Sequence, residues 1–178
     1  MNNTINTQEQ PRIYVACLAA YNNGRLHGKW IKCEDEEQIK EEIQGMLKNS
    51  PVADTEDCEE WAIHDYDNFH SIRLSEYESI KNIALIAEKI NEHGEAVSVF
   101  IDYIGGIEYF NDSDFEDAFQ GEWENEEDFA YNLMNDCYEI PNYLEYYIDY
   151  EKYANDLFIN DYYSENLSNG NIIVFRRI

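Results

Sequence analysis

Two imidazoles and two carboxylates lie close together in His64-Asp65-Tyr66-Asp67-Asn68-Phe69-His70. These residue types can hold a metal ion or exchange a proton with a substrate. Their spacing matches no metal-ligand motif, and a structural role beside Trp61 is the expectation. A metal-dependent enzyme built on His64, Asp65, Asp67 and His70 is therefore the weaker rival reading. Asp112-x-Asp114-x-Glu116 has the form of the start of a calcium loop. Its sixth position is Asp117, where glycine makes the turn, and its twelfth is Trp123, where glutamate ligates. Phosphate-binding and nucleophile-elbow motifs are missing. Cys17, Cys33, Cys58 and Cys137 form no CxxC pair, and Cys17 sits among apolar neighbours that mark it as core. The expectation is a protein that is not an enzyme, with no catalytic residue, metal or cofactor.

The chemistry that remains is charge. Residues 90–175 hold 21 acidic residues and one base, Lys152, while the whole chain carries a net −26. Residues 1–33 are the exception at +3, with Arg12, Arg25, Lys29 and Lys32 against Glu9. Such a surface repels phosphate, so nucleic acid and anionic membranes are excluded as partners, and basic proteins are admitted. Like charges on a compact surface cost stability, so an excess on this scale points to a functional requirement. A hydrophobic fraction of 44% and an aromatic fraction of 15% supply a core, which separates the chain from acidic disordered proteins. The polar first residues and the lack of a long apolar run point to the cytoplasm, with reduced thiols.

The elements that must carry these charges are short. Residues 1–10 read as a flexible polar leader. Ile13 to Leu18 favours a strand, Asn22-Asn23-Gly24 a turn, and Trp30-Ile31 a partner strand. Residues 35–48 follow a helical period, with Ile39, Ile43 and Leu47 on one face. Pro51 closes that helix, and Trp61 to His64 reads as another strand, so residues 11–72 form an α+β sub-domain. In residues 73–108 a capping box at Ser75-Glu76-Tyr77-Glu78 precedes an apolar stripe of Ile80, Ile83, Ala84, Ala87 and Ile90. Gly94 ends that helix, Val97 to Ile104 fits a helix or a strand, and Gly105-Gly106 ends it.

Residues 109–178 form the acidic α+β sub-domain. Asp114 is the expected cap of a helix bearing Phe115, Ala118 and Phe119. Asn125 starts a second, with Phe129, Ala130, Leu133, Met134 and Cys137 buried. Asp149 caps a third, whose Tyr150, Tyr153, Ala154, Leu157 and Phe158 face inward. After Asn169-Gly170 comes the strand Ile172 to Phe175. Arg25, His27 and Lys29 are expected to pair with local carboxylates. Tyr143, Tyr146, Tyr147 and Tyr150 suit packing or a dimer contact, since base stacking needs a basic groove.

With those faces inward, Asp114, Glu116, Asp117, Glu122, Glu124, Glu126, Glu127, Asp128, Asp136, Glu139, Asp149, Glu151 and Asp156 point outward as a candidate DNA-mimic surface. Neighbours three or four apart on a helix are about 5–6 Å from one another, comparable to the phosphate repeat of a DNA strand. At one charge per roughly 1.7 Å of duplex, the net charge corresponds to about 44 Å, around 13 base pairs.

The wording of the chain is specific as well. Tyr14-Val15-Ala16-Cys17-Leu18-Ala19-Ala20-Tyr21-Asn22-Asn23-Gly24-Arg25-Leu26-His27-Gly28-Lys29-Trp30 resembles the opening of the ArdA antirestriction family. So does Glu60-Trp61-Ala62-Ile63-His64-Asp65-Tyr66-Asp67. Phe119-Gln120-Gly121-Glu122-Trp123, followed by Glu126-Glu127-Asp128-Phe129-Ala130, resembles the family's acidic segment. Ile148-Asp149-Tyr150-Glu151-Lys152-Tyr153-Ala154-Asn155-Asp156-Leu157 resembles a later one. The resemblance implies an elongated α+β protein of three small sub-domains in tandem, forming a homodimer and carried on mobile genetic elements. It implies a DNA mimic that occupies the DNA-binding groove in the methyltransferase core of type I restriction-modification enzymes. Restriction would be blocked, and modification is open to the same block. The competing binding function is an acidic chaperone or binding protein for another basic, DNA-binding partner.

Overall fold

The computed structural model describes residues 10–178; the expected leader, residues 1–10, lies outside the described residues except for Gln10. Among the described residues there are eight α-helices and two three-stranded antiparallel sheets, an α+β protein as expected. The chain divides into two compact units, Met1–Tyr109 and Phe110–Ile178.

The first unit contains β1 (Arg12–Cys17), α1 (Leu18–Asn22), β2 (Gly28–Lys32), α2 (Glu36–Lys48), β3 (Trp61–Asp67), α3 (Ile80–His93) and α4 (Glu95–Ile104). Its sheet order is β2-β1-β3. The central β1 buries Ile13, Val15, Ala16 and Cys17, a run that suits a strand flanked on both sides. The residues after it make the five-residue helix α1 before the turn at Gly24, whose φ of 69° is open to glycine. Gly28 is required for a different reason. A Cβ there would lie 2.5 Å from the Val15 carbonyl oxygen and 2.7 Å from the Tyr14 ring.

Asp35 caps α2 by accepting from the Gln38 N–H, and Ile39, Ile43, Met46 and Leu47 are buried. The expected capping box at Ser75 is displaced. Ser79 caps α3 instead, accepting from the Asn82 N–H at 3.1 Å, while the Ser75 carbonyl accepts from the Glu78 N–H in the preceding turn. Ser79 directly precedes the apolar stripe that begins at Ile80, so the helix starts there, and the residues from Ser75 to Glu78 form a turn. The segment open to either helix or strand is α4, burying Val97, Phe100 and Ile101. Gly94 joins α3 to α4 at a φ of 71°, and Gly105 closes α4 in the left-handed region.

The second unit contains α5 (Asp112–Ala118), β4 (Phe119–Trp123), α6 (Glu126–Cys137), α7 (Asn142–Glu145), α8 (Tyr150–Asn160), β5 (Tyr162–Asn166) and β6 (Ile172–Arg176). The sheet order is β4-β6-β5, so the last strand in the chain is the central one. Ile172, Ile173, Val174 and Phe175 are all buried because β6 has a core on each face. On one face Ile172 and Val174 join Phe129, Ala130, Ala154 and Leu157 from α6 and α8. On the other, Phe175 lies 5.9, 5.7 and 5.3 Å from the rings of Phe115, Phe119 and Tyr163. Aromatic pairs of this kind add about 0.5–1.5 kcal/mol each beyond the area they bury.

Three expectations in this unit need correction. Asn111 caps α5, accepting from the Ser113 N–H, and Asp114 lies within the first turn. Phe119 leaves the helix to begin β4, because its ring is needed over β6. Cys137 is exposed at the end of α6, where the helix has run past the core. The caps at Asn125 and Asp149 are as expected, accepting from the Asp128 and Lys152 N–H groups.

Candidate functional site

The second unit turns its carboxylates outward. Asp114, Glu116, Asp117, Glu122, Glu124, Glu127, Asp136, Glu139, Asp149, Glu151 and Asp156 are exposed, and Glu126 and Asp128 are half-buried. Asp112, Glu145, Asp161 and Glu165 are exposed acids of the same unit outside the expected set. A plain count of charges along the chain would have included them. The reason for this arrangement is the helical phase. Phe129 and Ala130 of α6 and Ala154 and Leu157 of α8 take the core positions, leaving outward positions to Glu127, Asp136, Glu151 and Asp156.

Several acids occupy places where the backbone stabilises negative charge. Asp112 and Asp114 lie in the first turn of α5, Glu126, Glu127 and Asp128 in that of α6, and Glu151 in that of α8. The helix dipole contributes about 0.3–1 kcal/mol to each such group. Neutral donors hold others in place. Glu122 accepts from the side-chain amides of Asn169 and Asn171, both at 2.7 Å, and Glu126 from the Ser164 hydroxyl at 2.6 Å. Asp128 accepts from the Asn132 amide at 3.2 Å. Amides and hydroxyls orient a carboxylate without cancelling its charge, as lysine would. The acidic field reaches the phenols beneath it. Burial, and after it the charge of Glu145, raises the pKa of the Tyr150 hydroxyl above its ordinary value.

Tyr150 packs edge-on against Tyr131 at 5.0 Å, as a packing role requires. The packing role fails for its neighbours. Tyr143, Tyr146 and Tyr147 are 73%, 93% and 84% exposed, and Tyr138 and Leu144 are exposed nearby. Helix α7, only four residues long, is too short to present a buried face, so of the two expected roles packing within the chain is set aside for these three rings and a dimer contact stays open.

The rival sites are occupied by structural work. Asp112, Asp114 and Glu116 stand on α5 and not on a loop that could wrap a cation. In the first unit the pairing of β1 and β3 slips between Tyr14 and Val15, which face Asp65 and Ile63 and leave His64 as the extra residue of a bulge. The His64 ring then packs edge-on against Tyr21 at 5.2 Å. Asp67 pairs with Arg12 at 2.7 Å, and the same guanidinium lies 4.7 Å from the Trp30 ring centre. Of Arg25, His27 and Lys29, Lys29 meets a carboxylate, Glu42 at 2.7 Å. Arg25 donates to the Pro51 carbonyl at 3.0 Å, and the His27 ring bonds the Met46 carbonyl at 2.8 Å. Carbonyls at the end of α2 and in the turn after it, Met46 and Pro51, thus take the place of the expected carboxylates for these two groups.

No helix among the described residues is long and apolar enough to cross a membrane. The family model of the antirestriction protein ArdA matches residues 13–170. Comparison with curated proteins gave no match.

Proposed function

The chain belongs to the ArdA antirestriction protein family, and from that membership we propose that it acts in the cytoplasm as a DNA mimic. The acidic face of residues 110–178 occupies the DNA-binding groove in the methyltransferase core of a type I restriction-modification enzyme. One observation carries this reading: of the 17 acids in that unit, 15 are exposed and two are half-buried, and helix ends, amides and hydroxyls fix several in place. A DNA-binding groove holds phosphates with lysine and arginine, and most of that affinity is electrostatic. An ordered array of carboxylates offers those cations a similar field, with no base to cleave or methylate. Preorganisation matters because a flexible acid chain would lose entropy on docking.

The working form is a homodimer. Two chains that each carry −26 repel one another, so their contact belongs where large neutral side chains dominate. Residues 138–148 meet that condition, with Tyr138, Tyr143, Leu144, Tyr146 and Tyr147 exposed against Glu139 and Glu145. Replacing Tyr146 and Tyr147 with serine is expected to shift the sedimentation velocity profile from dimer to monomer; an unchanged dimer would remove these residues from the interface.

The function itself is tested by incubating the protein with a type I enzyme and unmodified plasmid. Cleavage is expected to stop, with methylation followed in a parallel reaction. Unimpaired cleavage at a large molar excess of the protein would contradict the reading.

A further inference from the structure

The first unit holds a cleft of about 730 Å³ at the end of its sheet where β3 begins. Its place follows from the strand register. Trp61 pairs with Cys17 and lies on the same face of β3 as the buried Ile63, two residues on. Ile63 is sealed in the core, whereas Trp61 is half-buried and lines the cleft. The Leu18 N–H donates to the Glu60 carbonyl at 3.1 Å, which brings the start of α1 to the same point. On the other side of β3, the Ile63 N–H donates to the Glu76 carbonyl at 2.9 Å. That bond holds the chain leading into α3 along the strand, so that Tyr77, 68% exposed, stands in the wall. Half-buried Leu18 and Ile80 add apolar surface to the two rings.

The polar groups of this wall are mainly acids. Glu36, Glu59, Glu60 and Glu78 line it together with Lys40 and Lys81. Four carboxylates against two ammonium groups leave a net −2. Lys40 already lies 2.7 Å from Glu36 and 3.1 Å from Glu37, so Glu36 is neutralised locally. Glu59, Glu60 and Glu78 meet no cation of the chain, and Lys81 meets no carboxylate, among the described residues. The N-terminus of α3, which would otherwise attract an anion, is occupied. The Glu78 carboxylate accepts from the Ser79 N–H at 3.2 Å and from the Asn82 amide at 2.9 Å. These neutral donors steady the carboxylate and leave its charge in place.

Aromatic rings attract ammonium groups, and apolar side chains shelter methylene groups from water. Walls that mix both with separate carboxylates suit a ligand that alternates charge with hydrocarbon. We propose that this cleft is a binding site for an aliphatic polyamine. Its ammonium groups meet Glu59 and Glu60 beside β3 and Glu78 beside α3, and its methylene segments lie across Trp61, Tyr77, Leu18 and Ile80. A lysine or arginine side chain would offer a single charge to three carboxylates, which is why a polyamine is the better fit. The site draws on no residue of the acidic face of residues 110–178, so it stands or falls independently of DNA mimicry.

The test is isothermal titration calorimetry of the full-length protein with spermidine. It is run at physiological salt with magnesium in excess, to suppress diffuse attraction to a chain of net −26. One saturable site per chain is expected. Tyr77→Ser, and separately Glu59→Gln with Glu60→Gln, change exposed side chains and should each weaken binding by at least about tenfold. Lys81→Gln should tighten it. Glu127→Gln with Glu151→Gln, in the second unit, should leave it unchanged. Lysine amide blocked at its α-nitrogen, a single ammonium on a methylene chain, should bind at least about tenfold more weakly than spermidine. Heat without saturation, or equal losses from the acids of both units, would reduce the cleft to part of a general acidic surface and overturn the proposal. So would a lysine derivative that binds as tightly as spermidine, which would assign the cleft to a protein side chain.

Discussion

The two units are both acidic, but they dispose of their charge differently. Residues 1–109 have 21 acids against nine bases, giving −12, while residues 110–178 have 17 against three, giving −14 in a much shorter stretch. The first unit pairs its charges locally: Arg12 with Asp67, Lys29 with Glu42, Lys40 with Glu36 and Glu37, and Lys89 with Glu92. The second unit holds Glu122 and Glu126 with amides and a hydroxyl, and places other acids at helix N-termini. Ion pairs cancel a field, whereas neutral hydrogen bonds and helix dipoles keep it in place. Acidity alone is thus a poor guide to a binding surface; what matters is the identity of the groups that steady the acids.

The contrast can be broken most forcefully at the core that holds the acidic face together. Phe175→Ala removes a ring shared by Phe115, Phe119 and Tyr163, at an expected cost of about 3–5 kcal/mol. Amide hydrogen exchange should then rise across residues 110–178 and stay near wild type in β1 and β3. The counterpart in the first unit is Gly28→Ala. Its Cβ would press on the Val15 carbonyl at 2.5 Å, so a loss of about 1–3 kcal/mol in chemical denaturation is expected.

Charge itself comes next. Converting Glu116, Asp117, Glu124, Glu127, Glu151 and Asp156 to their amides is expected to weaken inhibition of a type I enzyme by at least about tenfold, about 1.4 kcal/mol. Thermal stability should hold or increase, since repulsion falls. The same number of changes at Glu34, Asp54, Glu56, Asp57, Glu59 and Glu88, exposed acids of the first unit, should cost much less inhibition. Equal losses from the two sets would erase the distinction between the units.

The smallest effect concerns a single pair. The Lys29 ammonium, bonded to Glu42, leads the influences that hold that carboxyl below its usual range, with burial opposing and Gln38 assisting. A lowered folded-state pKa means that the stabilisation is complete above the unfolded carboxylate pKa and is lost as pH falls through the folded value. Lys29→Met should therefore lower stability at neutral pH by no more than about 1 kcal/mol, because the pair is partly solvent-screened. The difference from wild type should vanish in acid, as followed by denaturation at a series of pH values.

Much of this was legible in the sequence where helices have a full apolar stripe. α2, α6 and α8 each show one, together with an Asp or Asn cap, and each begins where the cap places it. Local patterns failed where a partner decides the structure. Tyr162-Tyr163-Ser164-Glu165-Asn166 has little strand character, and becomes β5 because β6 offers an open edge beside it. Phe119 continues a helical pattern but is drawn into β4 by the ring cluster around Phe175. The outward direction of the acids followed from the same stripes. Their neutral supports did not, since Asn169 and Asn171 are distant in sequence from Glu122.

DNA mimicry is tested most directly by competition. A type I methyltransferase core is saturated with fluorescently labelled duplex and titrated with the full-length protein at low and at raised salt. The protein is expected to displace the duplex completely at low salt and to lose affinity steeply as salt rises, since both ligands would hold the same cations. Binding that leaves the duplex in place, or displacement indifferent to salt, would contradict the claim that these carboxylates stand where phosphates do.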